Sequence, residues 1–340
     1  MRRMLPMIAM LSLPATALAG PCTVPISDCA EWFTVGHGPA RSLVYRSYPF
    51  DVRNEHITRA LVIVHDTSRA AEAAFRTGVA AALLAGALDD TIVIAPRFAS
   101  RNGVACADRL EVGEANWPCE GNSWRSGGFA AGGTVTSFDL ADEILVRIAR
   151  KTMFPNLTAI VVSGHSAGGQ FVTRYQMANR VHDRLGIRVR YVVANPSSYA
   201  YPDPVRPVIN PGDAGANGKT TFGPFGERSC SSYDRWPYGL ADRSGYTEKA
   251  SVVQLRKQLA RRPATYLLGE LDVLPVASFD ASCAAMAQGP TRLARGRAFA
   301  TYVNEQLRAR HTVTIVPACG HDARCMFTAE PALRVLFPKP

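Results

Sequence analysis

The chain has 340 residues, 47% of them hydrophobic and 19% charged, with a formal net charge of +10. That length is ample for a sizeable core, so the eight cysteines are not needed to rescue a small fold. The positive charge comes mostly from arginines that are scattered, neither blocked nor interleaved with an aromatic code. This argues against nucleic-acid binding and for a soluble basic surface.

Residues 1–19 read as a secretory signal peptide. Arg2 and Arg3 supply the charged start, Leu5 to Leu18 is mostly apolar, and Ala17-Leu18-Ala19 is a small-x-small cleavage site before Gly20. Pro6 and Pro14 interrupt the apolar run, against a membrane anchor, and Pro21 before Cys22 argues against a lipid-attachment box. No later stretch reaches about 18 continuous apolar residues, so no stable membrane insertion is expected after cleavage, and the protein is expected to be secreted or periplasmic. Cys22, Cys29, Cys106, Cys119, Cys230, Cys283, Cys319 and Cys325 all lie beyond the signal, and an even count in an exported chain points to disulfides. Spacing does not fix their connectivity. Nearest-neighbour pairing (22–29, 106–119, 230–283, 319–325) is the working expectation. With no C-x-x-C spacing and no histidine cluster, neither a metal nor a cofactor is expected.

Along the chain, Trp32–Val35 and Ser42–Tyr45 are strand-like runs suited to an antiparallel sheet edge. Leu61-Val62-Ile63-Val64 is wholly apolar and rich in β-branched residues, as a strand buried on both faces should be. A helix follows, with Phe75, Val79, Ala82 and Leu83 on one face, and then a second buried strand, Thr91–Ala95. Residues 97–135 are irregular and hold Trp117 and Trp124. Thr136-Ser137-Phe138-Asp139 reads as a capping box opening a helix. Ala159-Ile160-Val161-Val162 is another buried strand, leading into Gly164-His165-Ser166-Ala167-Gly168-Gly169 and a helix to about Arg180. After a strand at Val189–Ala194, a Pro- and Gly-dense segment runs to about Ala250, long enough to suggest a functional insertion such as a lid. The remaining elements are a strand at Thr265–Leu268, a helix from about Thr291 to Arg310, a strand at Thr312–Val316 and a terminal helix bearing Met326 and Phe327. The alternation predicts a mostly parallel sheet with helices on both faces, in one domain over 20–340 with insertions at about 97–135 and 196–250.

The chemistry centres on Ser166. A serine hydroxyl needs a histidine base, and the base needs a carboxylate to hold its tautomer. In parallel α/β sheets functional groups gather at the carboxyl ends of strands. Ser166, Asp272 and His321 each follow such an end, in the order nucleophile, acid, base. Glu270 and Asp280 are rival acids, and His65, His165, His182 and His311 are rival bases. Of these only His321 has the chain position a base needs. His165 is expected to point elsewhere and His65 to structure the neighbouring turn. Gly164 and Gly168 fit a sharp strand–turn–helix in which strand and helix come close. The Ala167 N–H at the helix start can meet a developing oxyanion, and a second N–H should come from Asp66 or Thr67.

These residues resemble the α/β-hydrolase superfamily over about residues 30–335, carried by His65-Asp66-Thr67, Gly164–Gly169, Gly269-Glu270-Leu271-Asp272 and Gly320-His321-Asp322. More narrowly, the runs at 164–171, 192–199, 233–240 and 286–289 are similar to a set of secreted bacterial and fungal α/β hydrolases. The resemblance implies an α/β-hydrolase fold with a cap or lid insertion after the sixth strand. It also implies a cofactor-free serine hydrolase acting on small or polymeric carboxylic esters. Catalytic residues would be Ser166, Asp272 and His321, with Ala167 and Thr67 forming the oxyanion hole. A peptidase or amidase on the same fold, and a non-catalytic envelope-binding relative, are the alternatives. One departure concerns His65-Asp66, where many members have His-Gly. A carboxylate aimed into the oxyanion hole would oppose negative charge, so the Asp66 side chain is expected to turn away and leave Thr67 as donor.

Overall fold

The computed structural model describes residues 20–36, 38–101, 106–208, 220–226, 229–276 and 278–338. The expected signal segment, 1–19, lies outside the described residues. In chain order the elements are β1 (Ala30–Thr34), β2 (Arg41–Arg46), β3 (Arg59–Val64), α1 (Ala71–Leu84), β4 (Thr91–Pro96), α2 (Ser137–Ile148), β5 (Ala159–His165) and α3 (Ala167–Ala178). There follow β6 (Arg188–Ala194), β7 (Val205–Pro207), β8 (Phe222–Pro224), α4 (Val252–Arg261), β9 (Ala264–Gly269), α5 (Cys283–Met286), α6 (Arg292–Gln306), β10 (Thr312–Val316), α7 (Ala323–Thr328) and α8 (Glu330–Leu336).

Eight strands form one sheet in the order β1-β2-β4-β3-β5-β6-β9-β10, and β7 pairs with β8 in a separate ribbon. β1 with β2 and β2 with β4 are antiparallel, and every pairing from β4 through to β10 is parallel. The strand period of two sends Leu61, Ile63 and Val161 to one face and Val62, Val64, Ile160 and Val162 to the other. Both faces are apolar, so both require cover. Buried residues of α1, α7 and α8 pack on the first face, and those of α2, α3, α4 and α6 on the second.

Local chemistry sets the helices. At α2 the Thr136 hydroxyl accepts from the Asp139 N–H (3.2 Å), and the Asp139 carboxylate accepts from the Thr136 N–H (2.8 Å), the expected capping box. Helix α1 approaches the sheet so closely that a Cβ on Gly78 would lie 2.8 Å from Val93 Cγ1. Its contact face is therefore built from Ala71, Gly78, Ala81 and Ala82 around Phe75. Leu83, expected to be buried, is 65% exposed. Helix α4 fills a stretch where the sequence reading has no element, and the expected single terminal helix is two helices, α7 and α8, broken at Ala329.

The two expected insertions are irregular. Residues 97–135 contain one short 3-10 turn (Trp124–Ser126) among the described residues, and 196–250 contain the β7–β8 ribbon and a 3-10 turn at Gly245–Lys249. Their aromatics pack inward. Trp117, Trp124, Tyr199, Tyr201 and Tyr246 are buried, with Tyr199 stacked on Phe299 at 4.4 Å. Buried arginines donate to backbone carbonyls of these segments: Arg174 to Pro237 O (3.2 Å), and Arg206 to Tyr233 O (2.6 Å), Val205 O (2.7 Å) and Asp203 O (2.9 Å). The four disulfides are Cys22–Cys29, Cys106–Cys119, Cys230–Cys283 and Cys319–Cys325, the nearest-neighbour pairing.

Candidate active site

Strand β5 is buried along its whole length and ends directly at Ser166, which caps α3 with φ 55° and ψ −116°. A non-glycine residue in such a conformation costs about 1–3 kcal/mol and persists only when its surroundings hold it. Two glycines make the turn possible. A Cβ on Gly164 would sit 2.5 Å from the Gly168 carbonyl, and one on Gly168 would sit 2.2 Å from Val64 O. The Ser166 N–H is tied to Ala194 O at 2.9 Å, and its carbonyl accepts from the Gln170 N–H at 3.0 Å.

Asp272 follows β9 in a turn closed by its N–H to Gly269 O (3.2 Å), and its side chain is wholly buried. His321 lies in the loop between β10 and α7, bracketed by the Cys319–Cys325 disulfide. The structure brings all three groups together. His321 Nε2 is 2.9 Å from Ser166 Oγ, and His321 Nδ1 is 2.8 Å from Asp272 Oδ2. The rival groups are occupied elsewhere. Glu270 accepts from the Ala318 N–H (3.0 Å) and Asp280 from the Tyr238 hydroxyl (2.8 Å), while Asp322, beside His321 in the chain, only caps α7 through the Cys325 N–H (2.6 Å). His311 bonds the Arg262 carbonyl (3.0 Å), and His182 sits on Tyr191.

No protein-family model matches the chain, and no curated protein matches it in sequence. Among solved structures it is similar to LpqC, a poly(3-hydroxybutyrate) depolymerase from Bordetella parapertussis, at 20% identity over 87% of this chain and 84% of that one, with a TM-score of 0.58. It is also similar to poly(aspartic acid) hydrolase-1 from Sphingomonas sp. KT-1, at 22% identity over 91% and 98% of the two chains, with a TM-score of 0.59. The chain has the α/β-hydrolase fold.

Within this α/β-hydrolase fold the turn after β3 faces the elbow. His65 is fully buried against Trp124 (ring centroids 4.7 Å apart), and burial pushes its pKa down to about 4. Its Nε2 accepts from the Phe98 N–H (3.0 Å), so the ring proton sits on Nδ1 and is donated to Asp66 O (2.8 Å). The Asp66 carbonyl and the Thr67 N–H belong to one peptide plane and point in opposite directions, so His65 also orients that N–H. Asp66 Oδ1 accepts from the Ser68 N–H (2.8 Å) and the Ser68 hydroxyl (2.5 Å), so the carboxylate is turned into its own loop as expected. Among the described residues neither the Thr67 nor the Ala167 N–H donates a hydrogen bond. The Thr67 hydroxyl meets Ser278 Oγ at 3.1 Å.

Two residues near the site, Asn195 and Arg292, carry no signal in the sequence. Asn195, fully buried at the end of β6, accepts from the Gly269 N–H (2.9 Å) and donates to Gly320 O (3.3 Å), stapling the Asp272 loop to the His321 loop. Its partners are 74 and 125 residues away, so spacing gave no signal. Arg292 donates to Asp272 Oδ1 from the start of α6, at 3.5 Å. His165, expected to point elsewhere, lies against the His321 ring (centroids 4.5 Å apart), buried and with its pKa pushed well down by burial. It borders a cavity of about 60 Å³ shared with His65 and Thr77, large enough for a water molecule. Beside Asp272, Leu271, Val273, Leu274 and Val276 form an exposed apolar rim. Among the described residues no group of three or more His, Cys, Asp or Glu side chains is arranged to hold a metal ion.

Proposed function

We propose that the protein is a secreted or periplasmic serine hydrolase that cleaves carboxylic esters through an acyl-enzyme. The observation that carries this reading is the continuous line Ser166 Oγ, His321 Nε2, His321 Nδ1, Asp272 Oδ2, with hydrogen-bond distances of 2.9 and 2.8 Å at its two joints. Ser166 Oγ attacks the ester carbonyl as its proton passes to His321 Nε2, and Asp272 holds the imidazolium. The tetrahedral oxyanion is received by the Ala167 and Thr67 N–H groups, each worth about 3–4 kcal/mol of barrier. His321 then gives its proton to the departing alcohol. In the second half it takes a proton from water, whose oxygen attacks the acyl carbon, and returns that proton to Ser166 Oγ as the acyl–oxygen bond breaks and the acid leaves.

The apolar rim at Leu271–Val276 supports an uncharged ester, small or polymeric, as the group presented to Ser166. Residues 20–340 would act as one hydrolase unit, the segment after β6 serving as its cap. Four disulfides support an oxidising compartment.

The test is fluorophosphonate labelling combined with a panel of p-nitrophenyl esters of two to twelve carbons and a matched p-nitroanilide, on wild type and Ser166→Ala. Labelling and ester turnover lost in the variant are expected. No labelling and no turnover in the wild type would overturn the enzyme reading. Unchanged activity in the variant would remove Ser166 from it. Anilide turnover matching the ester would move the assignment to an amidase.

A further inference from the structure

Arg292 is an expensive residue to keep where it stands. It occupies the first position of α6, the positive end of the helix dipole, and its side chain has no solvent exposure. Burial lowers its pKa and the neighbouring Asp272 opposes that shift. A buried cation at a helix N-terminus persists only with compensation, and its bonds show where that comes from. Nη1 reaches Asp272 Oδ1 (3.5 Å), Nε donates to Ser197 Oγ (2.8 Å), Nη2 donates to Val276 O (3.0 Å), and the guanidinium lies on the Phe279 ring at 5.2 Å. The first contact is to the oxygen of Asp272 that His321 does not use.

We propose that Arg292 is a positioning residue for the reaction. It fixes the plane and rotamer of the Asp272 carboxylate from behind, so that Oδ2 meets His321 Nδ1. It also ties the carboxylate to the rim segment that carries Val276 and, two residues on, the Ser278 hydroxyl that meets Thr67. A planar fork that reaches carboxylate, hydroxyl and carbonyl at once is a task for a guanidinium, which a lysine ammonium reproduces only in part. The inference rests on the triad reading, and its test separates the two.

The experiment is a double-mutant cycle. Arg292→Lys, Arg292→Gln and Ser197→Ala are each made alone and together with Asp272→Asn. Each variant is assayed for kcat and KM on a short p-nitrophenyl ester and for its rate of fluorophosphonate labelling, with folding checked by near-ultraviolet circular dichroism. In the wild-type background Arg292→Gln should lower kcat about 30-fold with KM within about twofold, Arg292→Lys should recover part of that, and Ser197→Ala should cost about threefold. In the Asp272→Asn background none of them should cost anything further, because the group Arg292 acts through has already lost its charge. Losses that multiply in both backgrounds would mark Arg292 as a fold anchor and overturn the proposal. If the Arg292 variants fail to fold, Ser197→Ala in the two backgrounds decides it on the same criterion. An Asp272→Asn enzyme that keeps full activity would instead overturn the triad reading itself.

Discussion

The two halves of the site are held in place by different physics. Ser166 sits at the end of β5, in the middle of the sheet, a strand whose every residue is buried, and its turn is fixed by backbone packed on backbone at Gly164 and Gly168. Asp272 and His321 sit on loops after β9 and β10, at the sheet edge, where β10 is exposed over its first two residues. There a backbone bond from the Leu271 N–H to Cys319 O (2.9 Å) is supplemented by side chains: the Asn195 amide, the Glu270 carboxylate on Ala318, the Arg292 guanidinium and the Cys319–Cys325 bridge. A nucleophile set by sterics tolerates almost no added volume. A base and acid set by hydrogen bonds should degrade by steps as bonds are removed.

The largest effect should separate the two carboxylates of the Asp272 loop. Asp272→Asn is expected to lower kcat about 10,000-fold, as the imidazole loses its tautomer, while Glu270→Gln should stay within about tenfold. Steady-state kinetics on a p-nitrophenyl ester reads both. A collapse with Glu270→Gln alone would exchange their roles.

Next is the contrast between halves. Gly168→Ala forces a Cβ to within 2.2 Å of a backbone oxygen, which flexible side chains cannot relieve, so about 3 kcal/mol or more of stability should go, and activity with it. Asn195→Ala removes the partner of a buried N–H and of a half-buried carbonyl, for about 1–3 kcal/mol, and should leave a folded enzyme with kcat lowered roughly tenfold. Urea unfolding and active-site titration distinguish them. Equal losses in both would erase the distinction.

The smallest effect is acid sensitivity. His65, just after β3, and His165, the last residue of β5, are buried and kept neutral, with pKa pushed to about 4 for the first and well down for the second. Burial lowers His182 to about 4 and lowers His311 as well. Below their ordinary value of 6.5 the unfolded chain binds protons that the native state refuses, so stability present above pH 6.5 is lost as pH falls toward 4. His65 alone should cost about 2 kcal/mol at pH 5. Asp142, pushed up to about 6 by burial, has the opposite sign, because its native form keeps a proton the unfolded chain releases above 3.8. Burial raises Glu114 and Asp234 as well, and four histidines against these three carboxyls predict a lower melting temperature at pH 5 than at pH 7, measurable by calorimetry. A flat profile would contradict their neutral burial.

What could be read in advance follows from the same contrast. Buried strands are legible because β-branched apolar runs have few other uses, and the elbow because a close approach leaves glycines in the chain. Helix α4 was missed because it buries only Leu255 and Leu259. Leu83 was misplaced because α1 docks through Ala and Gly, and closeness of approach is not written in an apolar period. Asn195 and Arg292 look like ordinary polar residues until the chain is folded, since each acts on groups far away in sequence.

The buried arginines that meet irregular backbone carry a further consequence. Irregular backbone cannot satisfy its own carbonyls as a helix or sheet does. Arg174, Arg206 and Arg295 serve those carbonyls instead, Arg295 reaching Gly289 O (2.8 Å), Ser197 O (2.5 Å) and Asp280 O (2.9 Å). These irregular stretches are mortised into the body by guanidinium tenons, so these three arginines work as joinery. Lysine, with the same charge but no fork, would leave joints open that no change in surface charge could close.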